Sequence, residues 1–183
     1  MSAARSALAK KKGPSRMDRA VPHHEFWRRF VAQADIPDAA QRFFNVLRIG
    51  DSKASADEAA ELILSGAKTA TTSLKLDYDV NSETLPEEGM LSIVEDGSGR
   101  PVAVIETTEV MVERFCEIDD AFARSYGEWG GSLKSWRRQC RANYAPRCRS
   151  LGQPFSEDTE LVLERFRLVF RPSAASVGSR SGR

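Results

Sequence analysis

Three stretches in the first third of the chain have the three- to four-residue apolar spacing of helices. EFWRRFVAQA, from residue 25, places five apolar side chains on one helical face: Phe26, Trp27, Phe30, Val31 and Ala34. DIPDAAQRFFNVL, from residue 35, repeats the spacing at Ala40, Phe43, Phe44 and Leu47. SADEAAELILSG fits a helix with a capping box of Ser55 and Glu58 and a left-handed end at Gly66. The pattern therefore predicts three opening helices.

After Gly66 the spacing changes to that of strands. KTATTSL, MLSIVEDGSGRPVAVIETTEVMV and ELVLERFRLVF are rich in β-branched residues, and the middle stretch has a Gly-rich turn between two strands. A Gly-rich loop then leads to Ser132, the predicted N-cap of a helix that ends before Pro146. This order predicts an α+β fold with an antiparallel or mixed sheet.

The length of 183 residues, with 41% hydrophobic residues, suits one globular domain. We expect this domain at residues 23–171, between a disordered basic tail at 1–22 and a disordered tail at 172–183. No apolar run suggests a membrane span or a secretory signal, so the predicted location is cytoplasmic, without a membrane partner. A transit peptide is the alternative interpretation of the Ser-, Ala- and Lys-rich N-terminus.

Charge is distributed unevenly along the chain. Of the 27 Lys and Arg residues, six lie in residues 1–20 and three in residues 171–183, whereas only one of the 26 Asp and Glu residues lies in these ends. The intervening part is therefore acidic, which argues against a surface coated in positive charge for nucleic acid. Any basic binding site must be local.

Cysteine and histidine give little support to metal or nucleophilic chemistry. The three cysteines lack C-x-x-C spacing, and the two histidines are the neighbours His23 and His24. We therefore expect no disulfide framework, no metal and no cofactor, and no triad built on histidine. Proton transfer would have to use other groups.

Lys68 lies just after a predicted helix end and before several hydroxyl residues. One interpretation is structural, because a cation is favoured near the free carbonyls of a helix end. The other is chemical, because a partly buried lysine can act as a base for a threonine nucleophile such as Thr71. In a regular strand the two side chains would face opposite sides, so they converge only if Lys68 lies in the turn after Gly66 or a bulge intervenes.

Two glutamates lie on apolar strand faces. Alternation places Glu106 with Val102, Val104 and Val110, and Glu164 with Val162, Phe166, Leu168 and Phe170. A carboxylate in such surroundings has a raised pKa or a partner, unless the face is open to solvent at that point. Either glutamate is therefore a candidate for chemistry or for a surface ion pair.

The helix predicted from Ser132 carries a basic stripe. Its four cations, at helical spacing, are Lys134, Arg137, Arg138 and Arg141. Leu133, Trp136, Cys140 and Tyr144 form a separate apolar face of the same helix. The basic stripe is a candidate phosphate-binding surface, and the alternative interpretation is a solvated charged face.

Several of these elements together resemble the ASCH domain family of the PUA-like superfamily. The resemblance runs from FWRRF at residue 26 to the strand that ends at residue 170, and five elements carry it: IGD, LILSGAKTATTSL, LPEEGMLSIVEDGSGRPVAVIETTEV, YGEWGGSLKSWRR and SEDTELVLERF. It implies a small β-barrel with flanking helices. It also implies a cleft for RNA or a nucleobase-like ligand.

Family members are linked to RNA binding, and some to hydrolysis of RNA or of acylated cytidine nucleosides. The resemblance assigns the roles of base, nucleophile and lysine-orienting group to Lys68, Thr71 and Glu106. The basic stripe, with Glu128 and Ser132 in the preceding loop, completes the predicted ligand-binding set. We expect the domain to recognise RNA or a modified nucleoside and to hydrolyse an N-acylated cytidine or RNA. The alternative is a non-catalytic RNA-binding module that uses the basic helix.

Four positions depart from the family pattern. Tyr126 replaces an acidic residue, Gly131 replaces an aspartate, Cys140 replaces a histidine, and Met90 stands where an aspartate is common. If those groups contribute to activity in relatives, this chain would bind the same ligand class without the same turnover.

Overall fold

The structure of the protein is a computed structural model, which describes residues 21–172. Within this range the fold is mixed α+β, with five helices and five strands. The helices are α1 (Val21–Gln33), α2 (Lys53–Ser65), α3 (Lys75–Asn81), α4 (Asp120–Tyr126) and α5 (Leu133–Ser150). The strands are β1 (Phe43–Leu47), β2 (Ala70–Leu74), β3 (Leu91–Glu95), β4 (Pro101–Arg114) and β5 (Glu160–Phe170). Apart from residues 21, 22 and 172, the two predicted tails lie outside the described residues.

The five strands form one sheet in the order β1-β3-β4-β5-β2. β1 runs parallel to β3, and the other neighbours are antiparallel. β1 and β2 are the edges, and within residues 21–172 no pairing joins them. The α+β class is thus confirmed, whereas the expected closed barrel is not.

The two faces of the sheet are covered by different helices. α1 contributes Phe26, Trp27 and Phe30 to a core cluster that includes Leu91 and Val104. α2 contributes Ile63 to a second cluster on the opposite face, with Val94, Ala103, Ile105 and Phe166. Neighbouring residues of β4 therefore point to different cores, as the alternation of a strand requires. A third cluster joins α4 and α5 to β2 and β5.

The predicted second helix is wrong, because its last five residues form β1. Asp38, within the turns that precede this strand, has a φ of 54°, which is incompatible with a continuing helix. Phe43 packs edge-on against Trp27, and Asn45 to Leu47 pair with β3. Pairing and burial at the sheet edge override the helical spacing of this short segment.

Two predicted helix boundaries also differ from the structure. The N-cap of α2 is Ser52, not Ser55, and Ser55 takes the role predicted for Glu58: its hydroxyl accepts a hydrogen bond from the Ser52 N–H. α5 continues through Pro146 to Ser150. The last turn of α5 buries Cys148 in the core, and this packing offsets the cost of the internal proline.

No helix within residues 21–172 has the length and apolar character needed to cross a bilayer.

The position of the α2 cap can be tested by two single substitutions. Ser52→Ala should lower the free energy of unfolding by about 1 kcal/mol, because it removes the acceptor for the Ser55 N–H. Glu58→Ala, at an exposed position of the same helix, should change it by less than about 0.5 kcal/mol. Urea unfolding followed by circular dichroism measures both, and the reverse order would support the cap predicted from the sequence.

Candidate functional site

A cleft of about 490 Å³ opens on the α2 side of the sheet. One wall is formed by the end of β1 and the start of α2, and the other by the α4–α5 loop and α5. β2 and β5 contribute the residues between the walls. The polar and charged residues that line the cleft include Asn45, Arg48, Asp51, Ser55, Thr71, Thr72, Ser73, Glu128, Gln139, Asn143 and Glu164. The aromatic lining residues are Phe44, Tyr78, Tyr126, Trp129 and Tyr144.

Lys68 lies in the turn between α2 and β2, directly behind the cleft wall. The backbone N–H of Lys68 donates to the carbonyl of Leu62. The residue therefore belongs to the turn after α2 and not to β2. Only 1% of the residue is exposed. Nζ lies 2.7 Å from Oε1 of Glu128, donates to the carbonyl of Tyr126 at 3.0 Å, and stands 3.4 Å from the centroid of the Tyr126 ring. Lys68 therefore lies in the turn after Gly66, and its ammonium group is directed at Glu128 and Tyr126.

Burial controls the proton affinity of Lys68. Loss of solvation lowers its pKa from 10.5 to about 8, although Glu128 opposes the shift by favouring the charged form. Near neutral pH the ammonium form still predominates, and an appreciable neutral fraction is available to accept a proton. A lysine with such a pKa can exchange a proton near neutral pH.

Glycine at position 127 allows the α4–α5 loop to approach Lys68. Gly127 has a φ of 75°, and a Cβ there would lie 2.4 Å from the carbonyl oxygen of Ala67 and 2.9 Å from Cα of Lys68. The end of α4 is held in the same place by a 2.8 Å hydrogen bond from the Thr69 N–H to the Ser125 carbonyl. These contacts bring Glu128 onto the lysine.

Thr71 and Glu164 face each other across the β2–β5 pair, and both line the cleft. The hydroxyl of Thr71 makes no hydrogen bond to another residue in the part of the chain that the structure describes. Glu164 is 7% exposed and accepts a 2.6 Å hydrogen bond from the hydroxyl of Thr107. Burial raises the pKa of Glu164, and the bond from Thr107 offsets this only in part.

Glu106 does not contact Lys68, which corrects the pairing expected from the sequence. It lies opposite Leu91 on the α1 face of the sheet, where it forms ion pairs with Arg42 and Arg167. Burial alone would raise the pKa of Glu106, but hydrogen bonds from Arg167 and Arg42 outweigh it and hold the pKa below its usual value. The carboxylate partner of Lys68 is Glu128.

A register shift separates Glu106 from Val110, which strict alternation placed on one face. Between Thr107 and Glu109 the pairing of β4 with β5 gains one residue. Val110 therefore lies opposite Glu164, on the cleft side of the sheet, and no longer shares a face with Glu106. Sequence spacing contains no clear signal of such a bulge.

The predicted basic stripe is divided between internal and exposed roles. Arg137 donates to the carbonyls of Cys116 and Ile118, and Arg141 pairs with Glu157. Lys134 and Arg138 are exposed. None of the four cations lines the cleft, because α5 presents a different face there. Ser132 is the N-cap of α5, as predicted, and its hydroxyl accepts from the Ser135 N–H.

Three of the four residues that depart from the family pattern lie in the cleft or in the loop beside it. Tyr126 supplies the ring that covers Lys68. Cys140 lines the cleft from α5, and burial raises the pKa of its thiol. Gly131 has a φ of 68° in the loop before α5. Met90, the fourth departure, lies outside the cleft lining.

Trp129, which was not predicted from the sequence, also lines the cleft. It has a φ of 57°, an uncommon conformation for a bulky side chain, and its ring lies 5.0 Å from that of Tyr126. A loop rich in glycine with a single tryptophan offered no pattern from which this position could be predicted.

The pH dependence of stability should report the buried lysine. Between pH 8 and 10.5 the unfolded chain holds the Lys68 proton more tightly than the folded chain, so this group makes stability rise with pH. Relative to Lys68→Met, the wild-type free energy of unfolding should increase by up to about 3 kcal/mol across this window. Urea titrations of both proteins at several pH values measure the difference between their free energies of unfolding. The contributions of the other titrating groups cancel in this difference. A constant difference would contradict the lowered pKa.

The close approach at Gly127 can be tested against a matched glycine. Gly127→Ala should destabilise the protein by about 2 to 4 kcal/mol, because the methyl group meets backbone atoms and the positive φ is unfavourable. Gly99→Ala, at a φ of 76° with open space around it, should cost only about 1 kcal/mol. Thermal unfolding compares the stability of the two variants. Equal losses of stability would show that the positive φ alone accounts for the need for glycine at position 127.

Comparison with known proteins relates this chain to a family. The family model described as ASCH domain matches residues 45–170. An ASCH domain structure from Lactobacillus crispatus is 30% identical, with a TM-score of 0.74, over 80% of this chain and 92% of that one. A protein from Enterococcus faecalis, described as DUF984, is 25% identical, with a TM-score of 0.72, over 87% and 97% of the two chains.

The comparison with curated proteins found no match. The family model nevertheless covers well over half of the chain, and the solved ASCH domain agrees with it in fold. The chain therefore belongs to the ASCH domain family, whose members are generally thought to bind RNA.

Proposed function

We propose that this protein binds a modified nucleoside, free or within RNA, in the cleft and hydrolyses the amide bond of an N-acylated cytosine. The observation that carries the proposal is the buried Lys68–Glu128 pair immediately behind a cleft that Thr71 lines. A lysine with a pKa of about 8 and a threonine hydroxyl without a partner among the described residues are the groups that acyl transfer needs.

The charges of the cleft favour an uncharged ligand ring. Among the described residues that line it, the acids are Asp51, Glu128 and Glu164 and the cation is Arg48; Glu128 is paired with Lys68, and burial raises the pKa of Glu164. Lys68 adds no free positive charge, because Glu128 pairs with it. Phosphate binding depends on accessible cations, so a phosphodiester is a poor match for the floor of this cleft. A neutral nucleobase among aromatic side chains is a better match.

The chemical steps would proceed through an ester on threonine. The Thr71 hydroxyl attacks the acyl carbonyl carbon, and Lys68 accepts its proton. The bond from the acyl carbon to the base nitrogen then breaks, and Lys68 returns the proton to the leaving nitrogen. Water cleaves the ester, which releases the carboxylic acid and restores the hydroxyl. Glu128 holds the lysine in place and stabilises its charged form after the first step.

Lys68 and Thr71 do not form a hydrogen bond to each other in the structure. Catalytic hydrogen bonds are often longer without substrate and shorten in the reacting complex. The ammonium group is held by Tyr126 and Glu128, so a small movement of the α4–α5 loop would change its reach towards the cleft.

A non-catalytic RNA-binding role is the second candidate, and it is supported by the exposed cations Lys134 and Arg138. The other two residues of the basic stripe contact carbonyls or Glu157 within the domain, which weakens this candidate. Binding through phosphates would weaken steeply as salt increases, whereas a neutral nucleoside in the cleft would respond little to salt.

Turnover of N-acylated cytidine by four variants tests the assignment. Lys68→Met and Thr71→Val preserve side-chain volume and should each reduce kcat/KM by at least about a hundredfold, since they remove the base and the nucleophile. Glu128→Gln should also reduce it strongly, because the lysine loses its charge partner. Glu106→Gln should retain kcat/KM per folded molecule, because this residue lies on the other face of the sheet.

Glu106→Gln and Glu128→Gln together show which of the two glutamates is the carboxylate partner of Lys68. Loss of activity in Glu106→Gln together with retention in Glu128→Gln would restore the assignment implied by the family resemblance. Full activity in Lys68→Met would exclude the lysine mechanism. Absence of turnover in the wild type, together with salt-sensitive RNA binding that Arg138→Ala weakens, would favour the binding module.

A further inference from the structure

We propose that the Glu164 carboxyl binds the edge of the ligand's ring through a paired donor and acceptor, and thereby selects a ring with a nitrogen acceptor beside an N–H donor. Cytosine, with its ring N3 and its exocyclic amino group, has such an edge. This inference rests on the proposed function, because it takes the cleft as the site of a nucleobase. It adds a residue outside the Lys68–Thr71–Glu128 set.

The hydrogen bonds of Glu164 leave one side of the carboxyl available. Oε1 accepts from Thr107, whose hydroxyl lies 2.6 Å away. Oε2 has no hydrogen-bond partner among residues 21–172, and the residue lines the cleft directly opposite Thr71. The bond from Thr107 marks Oε1 as the acceptor oxygen, which leaves Oε2 to carry the proton. The carboxyl then offers an O–H donor and a C=O acceptor side by side.

The charged groups around Glu164 do not supply a counter-ion. Lys68 lies behind the wall and is paired with Glu128, while Asp51 adds further negative charge and Arg48 is exposed at the cleft mouth. From α5 the titratable neighbours are Cys140 and Tyr144, and burial raises the pKa of both. Burial likewise raises the pKa of Glu164, which supports a neutral carboxyl in the free protein.

A structural role explains Glu164 less well than ligand binding does. Its neighbours in β5 at positions 161–163 and 166 are buried and apolar, and an apolar side chain would pack there without the cost of burying a carboxyl. An incompletely paired polar group in a cleft is instead typical of a site that orients a ligand. The position opposite Thr71 would hold the exocyclic nitrogen near the nucleophile.

Binding of two nucleosides tests this role without requiring turnover. Isothermal titration calorimetry would use cytidine and the riboside of 2-pyrimidinone, which lacks the exocyclic amino group. Glu164→Gln keeps one donor and one acceptor, so it should bind cytidine within about threefold of wild type. Glu164→Leu should bind cytidine at least about tenfold more weakly, and it should lose less affinity for the 2-pyrimidinone riboside, because that ring keeps the N3 acceptor but lacks the amino donor of the pair. It should also be as stable as wild type or more so.

The pH dependence separates edge binding from a packing effect. Wild-type affinity for cytidine should fall as the pH rises through the pKa of Glu164, because the ionised carboxylate no longer donates, whereas Glu164→Gln should show no such fall. Equal cytidine affinity in wild type and Glu164→Leu overturns the inference, as does a wild type that does not bind cytidine. Normal cytidine binding without hydrolysis of N-acylated cytidine would leave this inference standing and refute the proposed reaction.

Discussion

The ion pair between Lys68 and Glu128 is the constraint on which the cleft depends. Removing one partner of a buried pair costs about 3 to 5 kcal/mol, because the other charge is left without compensation. The turn after α2 and the loop after α4 must therefore stay together, and Gly127 makes their contact sterically possible. α5 follows from the same loop, so its position against the sheet depends on this contact too. One pair thus fixes the position of one wall of the cleft.

Local signals in the sequence predicted the parts of the fold that local physics determines. The left-handed Gly66, the strand character after it and the cap at Ser132 each depend on a few neighbouring residues, and the structure confirms all three. The β1 segment shows the limit of such signals. Its apolar residues fit a helical spacing, but pairing with β3 and the packing of Phe43 on Trp27 decide its conformation.

The candidate site was predictable as far as Lys68 and Thr71, because both belong to one short motif. The partner of Lys68 was not, since it comes from a loop about 60 residues away whose approach depends on tertiary packing. The family resemblance favoured Glu106, and its place on an apolar strand face made that choice reasonable. A single inserted residue in β4, after Glu106, changes which face the following residues present.

Glu106 and Glu164 show how environment assigns different properties to one residue type. Both are largely buried on neighbouring strands, where burial by itself would raise the pKa of each. Two arginines reverse the effect at Glu106, which stays ionised as part of the α1 face. Glu164 has only a threonine hydroxyl, so its pKa remains raised. Because a neutral carboxyl can donate as well as accept, the glutamate without a cation is the one suited to recognise a ligand.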